Sequence, residues 1–279
     1  MADDMSGSEH VAETTRRRLE FGAIVVVGGG CYGSYYVRQL RRAARADAVR
    51  WERLLVIDRD PHCQVASMTP DRASAADDDH VELVVSEWST FFRQYLDAAA
   101  ADRPASQRDA IVPSPLMPHL MFEWILERAR RRWPGRDVGT KPLDVVPPTP
   151  WQRATDGGPH YVSFATWICP INCIEPNVCP HTREFRDWSL PDTARAYVAA
   201  AQGRGWMLAG PVIFHCTHRA YGVGMFDTAE VVAGDDVVRR AAERSAAEVL
   251  VGTMSHCHGA FERLVVGPPV NHRFAGSGH

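Results

Sequence analysis

The feature that most constrains the fold of this sequence is a glycine-rich turn between a buried strand and a helix. Residues 23–27, AIVVV, form a continuous apolar run, which is typical of a strand covered on both faces of a parallel sheet. The run ends at Gly28, and Gly30 and Gly33 complete the pattern G-x-G-x-x-G. After Gly33, apolar residues recur at helical spacing, with arginines on the opposite face. The pattern predicts a strand, a turn and a helix, in that order.

Each of the three glycines is expected to meet a different steric need. Gly28 permits the tight turn, Gly30 lets the backbone approach a pyrophosphate, and Gly33 lets the helix pack closely on the strand. The N-terminus of that helix offers amide donors and the positive end of its dipole to phosphate groups. Cys31 and Tyr32 lie inside the turn. We therefore predict that these five residues bind the phosphates of a nucleotide.

An acidic residue ends the second predicted strand, residues 54–57. Asp58 is placed there to accept hydrogen bonds from the ribose hydroxyls on the adenine side of a dinucleotide. It lies several residues further from the glycines than is usual, and we assign the surplus to an extended loop over residues 45–53. Further strands predicted at residues 81–85 and 110–112 alternate with helices. This β-α-β order predicts right-handed crossovers and a parallel sheet.

Over residues 21–133 the sequence resembles the Rossmann superfamily. The glycine turn and the segment VIDRDP are similar to the NAD-binding domains that regulate potassium transport. The resemblance implies that the three glycines and Asp58 bind a dinucleotide, with NAD favoured because Asp58 would repel the 2′-phosphate of NADP. Arg59 beside it leaves NADP open. S-adenosylmethionine, which also uses a glycine turn and an acidic strand end, is the alternative ligand.

The chain is predicted to contain two α/β units after an N-terminal arm. Residues 1–20 are charged and small, without apolar periodicity, and we interpret them as flexible. Prolines and glycines between residues 134 and 159 interrupt regular structure, so we place a domain boundary near residue 140. We therefore expect a Rossmann-like parallel sheet in residues 21–140. A smaller cysteine-rich α/β domain, which would hold a metal and the substrate, is expected in residues 141–279.

Three cysteines lie close together in the second unit. Cys169, Cys173 and Cys179 fall within eleven residues of a loop punctuated by prolines, which lower the entropy lost when the sulfurs are gathered. Thiolates with imidazole suit zinc, and three or four thiolates suit zinc or an iron–sulfur cluster. The spacing matches neither the ferredoxin pattern nor that of the radical enzymes, so it suggests no family for this half. We predict a metal or cluster site and leave its identity open.

The segments FHCTH and SHCHG each flank a cysteine with histidines. For a fourth metal ligand we prefer Cys257, then Cys216, then His181. If SHCHG forms a strand, its two histidines share one face. The candidates for acid–base or ligand roles are His215, His218, His256 and His258. Glu175 in the cysteine loop could orient ligands or a substrate anion, and we favour its interpretation as an ordinary salt-bridging surface residue.

Composition restricts the partners. With 31 basic and 34 acidic residues the net charge is −3, which gives no broad attraction to nucleic acid or to an anionic membrane. No apolar stretch is long enough to cross a bilayer and the first residues do not resemble a signal peptide, so we expect a cytoplasmic protein with a small-molecule substrate. The seven cysteines are then more consistent with thiols or ligands than with disulfides. The sequence leaves a homo-oligomer open.

Together these features predict an NAD(P)-dependent oxidoreductase. The first half would bind the cofactor, and the second would supply a metal or iron–sulfur centre and the substrate pocket, with the chemistry in the cleft between them. Two alternatives remain at this point. One is a regulatory protein that senses nucleotide and redox state without catalysis, and the other is an S-adenosylmethionine-dependent methyltransferase.

Overall fold

The computed structural model describes residues 18–68 and 80–269. Its helices are α1 (Cys31–Arg45), α2 (Trp88–Ala101), α3 (Leu120–Arg132), α4 (Leu190–Gly203) and α5 (Thr228–Ala242), and a 3₁₀ helix covers Gln64–Ser67. Its strands are β1 (Leu19–Val27), β2 (Val49–Asp58), β3 (Val81–Val85), β4 (Ala110–Val112), β5 (Val138–Lys141), β6 (Trp151–Ala154), β7 (His160–Ser163), β8 (Leu208–His215), β9 (Thr217–Ala220), β10 (Val223–Asp227), β11 (Ala247–Met254) and β12 (His258–Val266).

The first sheet contains the glycine turn. Its parallel strands follow the order β3-β2-β1-β4, and β10 and β9 extend it with antiparallel pairing beyond β4. Residues 23–27 of the central strand β1 are buried, as their apolar run predicts. The strand order reverses between β1 and β4, and ligands of open α/β sheets bind at the carboxyl ends of the strands at such a point. The predicted α/β class is confirmed, and the first sheet is mixed, because four parallel strands are extended by the antiparallel β10 and β9.

The second sheet has the order β6-β7-β12-β11-β8, and β5 pairs with β12 beside β7. β8 and β11 are parallel, while the other pairs are antiparallel. α2, α3 and α5 lie between the two sheets, and their apolar residues form one core with Val25 of β1 and Val249 of β11. α1 packs on the outer face of the first sheet, and α4 packs on the outer face of the second.

The chain crosses between the two sheets more than once. After residue 140 it builds most of the second sheet, but β10 returns and pairs on the edge of β4, and β9 pairs with β10. Phe226 of β10 pairs with Ile111 of β4, and both side chains are fully buried. The core that joins the sheets therefore draws on residues from both sides of position 140.

Several local predictions were wrong. Residues 45–53 are not an extended loop, because β2 begins at Val49 and pairs there with the start of β1. Leu19 and Glu20, predicted to belong to the flexible arm, already lie in β1, whereas residues 1–17 fall outside the described part of the chain. The proline-rich stretch 134–159 contains β5 and β6. Within residues 18–68 and 80–269, no helix combines the length and apolar character needed to cross a membrane.

Candidate functional site

The glycine turn has a conformation that other residues could not adopt at two positions. Gly28 has a φ of 85°, and its amide donates to the Ile57 carbonyl of β2 at 2.8 Å. A Cβ on Gly33 would lie 1.8 Å from the carbonyl oxygen of Gly28, so α1 can approach β1 only because residue 33 is glycine. No described atom lies within 4 Å of the Cβ position of Gly30, which leaves the backbone open there. The turn therefore combines close helix packing with an accessible backbone at Gly30.

Asp58 stands at the end of β2 beside this turn. Its Oδ2 accepts a hydrogen bond from the Gly29 amide at 2.6 Å, and its Oδ1 accepts one from the Asp60 amide at 2.9 Å. Each carboxylate oxygen retains a further lone pair for a ligand hydroxyl. The guanidinium of Arg59 lies over the ring of Trp88, with its Cζ 6.0 Å from the ring centroid. Asp58 thus stabilises the turn through these hydrogen bonds. This structural role is additional to the predicted binding of ribose hydroxyls.

The segment that follows β2 covers Gly29. This glycine was not among the residues predicted to bind the nucleotide. The Val65 amide donates to the Gly29 carbonyl at 2.9 Å, and a Cβ on Gly29 would lie 2.3 Å from the Cys63 sulfur. Gln64 accepts a hydrogen bond from the Ser34 hydroxyl of α1 at 2.9 Å. A fourth glycine is therefore required in the turn, and the run of three adjacent glycines is the sequence signal that marks it.

Two adjoining cavities lie beyond the turn, at the carboxyl ends of β1 and β4. Their volumes are about 400 and 210 Å³, and both are lined by Tyr36, Pro115 and His258. α1 supplies Tyr32 and Tyr36, the segment after β4 supplies prolines, and the cysteine loop and the turn between β11 and β12 form the other walls. We call these two cavities the switch-point cleft. It joins the carboxyl ends of the first sheet to residues of the second.

The predicted thiol ligands divide between this cleft and its surroundings. Cys169, Cys173 and Cys257 line the larger cavity, and Cys216 lines the smaller one. Cys179 lines neither cavity, since it lies in a small hairpin closed by the bridge between Val178 and Phe185. His181, the other alternative ligand, stacks on Trp167 with the ring centroids 4.5 Å apart.

The cleft thiols are set in low-polarity surroundings. Burial raises the pKa of both Cys216 and Cys257 to about 12, so the two groups are protonated at neutral pH. The indole nitrogen of Trp188 donates to the Cys257 sulfur at 3.3 Å. Across residues 18–68 and 80–269, no three cysteine, histidine or acidic side chains converge closely enough to hold a metal ion. This arrangement therefore does not fit a preformed zinc or iron–sulfur site.

Glu175 is the acidic residue of the cleft, and the prediction that it lies at the surface was wrong. Its side chain is 7% exposed and accepts hydrogen bonds from the Ser255 hydroxyl at 2.5 Å and from the amides of His256 and Cys257 at 2.9 and 3.1 Å. Burial opposes ionisation, but these hydrogen bonds outweigh it and lower the pKa of Glu175. The carboxylate thereby fastens the cysteine loop to the turn between β11 and β12.

The four candidate histidines form two separate groups. His218 and His258 line the cleft, whereas the rings of His215 and His256 contact each other with centroids 4.6 Å apart. SHCHG is not a strand throughout, because residues 255–257 form the turn before β12, so its two histidines do not share a face. Burial lowers the pKa of His215, His218 and His258, which are neutral at neutral pH.

The ring of His258 is held by a short hydrogen-bond chain. Its Nδ1 lies 2.9 Å from the Ser163 hydroxyl oxygen, which lies 2.7 Å from the Ala165 carbonyl. Ser163 has one hydroxyl proton, and the carbonyl can only accept it, so we assign that proton to Ala165. Nδ1 of His258 then donates to Ser163, and Nε2 carries the lone pair.

Comparison with known proteins gives one match. Residues 121–267, just over half of the chain, match a family model described as an uncharacterized protein, C-terminal domain. The matched region runs from α3 to β12 and includes the cysteine loop and both histidine segments, whereas the glycine turn precedes it. No curated protein and no solved structure matches the chain.

Proposed function

We propose a function from the geometry of the cleft, because the chain belongs to the AF_1314_C family and that family's description states no activity. The proposed function is that of an oxidoreductase that binds NAD(H), or alternatively NADP(H), at the glycine turn and its substrate in the switch-point cleft. The observation that carries the proposal is the position of α1. This helix begins at the glycine turn and also supplies Tyr32 and Tyr36 to the wall of the cleft.

The residues at the turn fit a dinucleotide. Gly30 has open space where a side chain would project, and the N-terminus of α1 provides amides for a pyrophosphate. Asp58 retains lone pairs for the ribose hydroxyls on the adenine side. When bound, the nicotinamide supplies a donor or acceptor of hydride. We expect the nicotinamide ring to lie in the cleft, at the carboxyl ends of β1 and β4, where the strand order reverses.

The residues of the cleft can orient a substrate and handle a proton. Aromatic side chains of α1 and the cysteine loop supply apolar surface to the walls. His258 is the proposed proton-transfer residue, since Ser163 holds Nδ1 and Nε2 remains as the acceptor atom of a ring that lines both cavities. No step of this proposal passes through a metal, because no group of three candidate ligands comes together in the part of the chain that the structure describes.

Titration of the full chain with NADH, NADPH and S-adenosylmethionine, followed by calorimetry, tests the proposal. We expect one nicotinamide cofactor to bind with a dissociation constant on the order of micromolar. If S-adenosylmethionine binds and neither NADH nor NADPH does, the methyltransferase alternative replaces the proposal. Binding of NADH without hydride transfer from NADH to any carbonyl compound, and without transfer from any alcohol to NAD⁺, would favour the regulatory alternative.

A further inference from the structure

We infer that the second ligand of the switch-point cleft is an uncharged, largely apolar molecule carrying a hydroxyl or carbonyl group. The inference rests on the proposed function, which places a substrate in this cleft, and it names the chemical class of that substrate. It is drawn from the charges, the apolar walls and the polar groups of the two cavities.

The charge of the walls excludes anionic ligands. Among the described residues that line the cavities there is no lysine or arginine, and Glu175 is the one carboxylate. A carboxylate or phosphate that entered the cleft would lose its hydration, would find no lysine or arginine among the lining residues, and would meet the like charge of Glu175. Burying an unpaired charge costs several kcal/mol or more, so such a ligand would be strongly disfavoured.

A cationic ligand is disfavoured for a different reason. The two carboxylate oxygens of Glu175 already accept hydrogen bonds from Ser255, His256 and Cys257. An ammonium group that bound this carboxylate would compete with these buried donors, and a buried amide that loses its acceptor is destabilised. The carboxylate of Glu175 is therefore already used in the hydrogen bonds that connect the cysteine loop to the turn between β11 and β12.

The walls themselves are apolar and aromatic. Tyr32 and Tyr36 of α1 face the cleft together with Trp167 of the cysteine loop, and Tyr161 and Met254 line the smaller cavity. Aromatic side chains offer large flat surfaces that favour rings and aliphatic groups. At the edge of the larger cavity, Ile168 is 97% exposed and extends the apolar lining into solvent. An exposed apolar patch around a cleft is a common mark of a ligand site.

A few neutral polar groups can orient such a ligand. Ser114, Thr253 and Ser255 line the smaller cavity beside His258. Apolar pockets with a small number of hydroxyl and imidazole groups bind molecules through one or two hydrogen bonds, with the remainder of the affinity from buried apolar area. A single hydroxyl or carbonyl on the ligand matches this lining.

Binding of a matched set of phenyl compounds tests the inference. The set is 1-phenylethanol, acetophenone, phenylacetate and phenethylammonium, which share the ring and differ in charge. Measured by ligand-observed NMR without any dinucleotide, the two neutral compounds should bind at roughly millimolar concentration and at least about tenfold more tightly than the two ions. Equal or tighter binding of either ion, or failure of both neutral compounds to bind, would overturn the inference.

A pair of neighbouring substitutions locates the binding. Pro115 is exposed and lines both cavities, whereas Leu116 is 68% exposed and lines neither. Pro115→Arg should raise the affinity for phenylacetate about fivefold, because it introduces a cation at the cleft. Leu116→Arg should leave it unchanged, and equal gains in both variants would contradict the assignment to the cleft.

Because these probes are measured without dinucleotide, the two proposals can fail separately. Loss of the charge preference with intact NADH binding would leave the proposed function standing. Absence of NADH binding with an intact preference for neutral compounds would remove the oxidoreductase and retain the ligand class.

Discussion

The carboxylate of Glu175 accepts a hydrogen bond at 3.1 Å from the backbone amide of Cys257, 82 residues further along the chain. The same carboxylate also accepts from Ser255 and His256. One side chain thus joins the cysteine loop to the turn that carries His258. The shape of the switch-point cleft depends on this connection, because both segments line it.

Glu175→Gln is predicted to destabilise the protein by about 1–3 kcal/mol, because the amide group offers one acceptor oxygen where three donors converge. Urea denaturation of the variant measures the loss. Glu184→Gln, an exposed position of the same loop, is the matched control and should change the stability little. Equal stability of the two variants would show that the carboxylate does not anchor the loop.

Stability is predicted to fall as the pH drops below 6.5, the ordinary pKa of histidine. Burial holds the pKa of His258 below this value in the folded state, so the unfolded chain takes up the proton first and is favoured as the pH falls. His258→Gln should reduce the slope of unfolding free energy against pH between about 6.5 and 5. His62→Gln, at an exposed position, is the control, and the same slope in both variants would contradict the assignment.

Gly33→Ala is predicted to disrupt the packing of α1 on β1. Its Cβ would lie 1.8 Å from the Gly28 carbonyl oxygen, so the helix must shift away from the strand. Overpacking of this kind costs about 1–3 kcal/mol, measurable as a lower midpoint of thermal unfolding. Gly30→Ala meets no described atom within 4 Å and serves as the control. Comparable midpoints for the two variants would contradict the close contact.

The metal centre remains a prediction from the cysteine spacing. Metal analysis and an optical spectrum of anaerobically purified protein test it, since bound iron with sulfide gives a visible band and zinc gives none. If a centre forms, Cys→Ser changes at Cys169, Cys173 and Cys179 should each lower the metal content, because ligands to one ion fail together. Full occupancy in all three variants, or metal-free wild-type protein, would reject the site.

Features of the sequence that depend on local pattern could be predicted. Residues 23–27 are buried on both faces of a parallel sheet, so their apolar run is sufficient to identify β1. The glycine turn is equally local, because Gly28 is favoured by its own φ of 85° and Gly33 is required by its contact with the Gly28 carbonyl. β9 and β10 were missed because they are short, and because β10 joins the sheet by pairing with the distant strand β4.

The arrangement of the cleft could not be predicted, because its contacts join distant segments. Ser163 and His258, which form the proposed orienting pair, are 95 residues apart. The thiols of the cysteine loop are close in sequence, yet Cys179 lies in a hairpin and does not line the cavity that Cys169 and Cys173 share. Sequence spacing therefore identified many of the residues that line the cleft, but it did not identify which distant residues they contact.

Binding of NADH to the wild type and to Gly30→Val tests the central claim most directly. Gly30 has a φ of −75° and no described atom within 4 Å of its Cβ position, so the variant should fold, while its side chain would obstruct a pyrophosphate. Gly139→Val, in β5 and equally free of contacts, is the control. We predict that Gly30→Val weakens NADH binding by at least about 100-fold and that Gly139→Val leaves it unchanged. Unchanged NADH affinity in a folded Gly30→Val variant, or no binding to the wild type, would contradict the account.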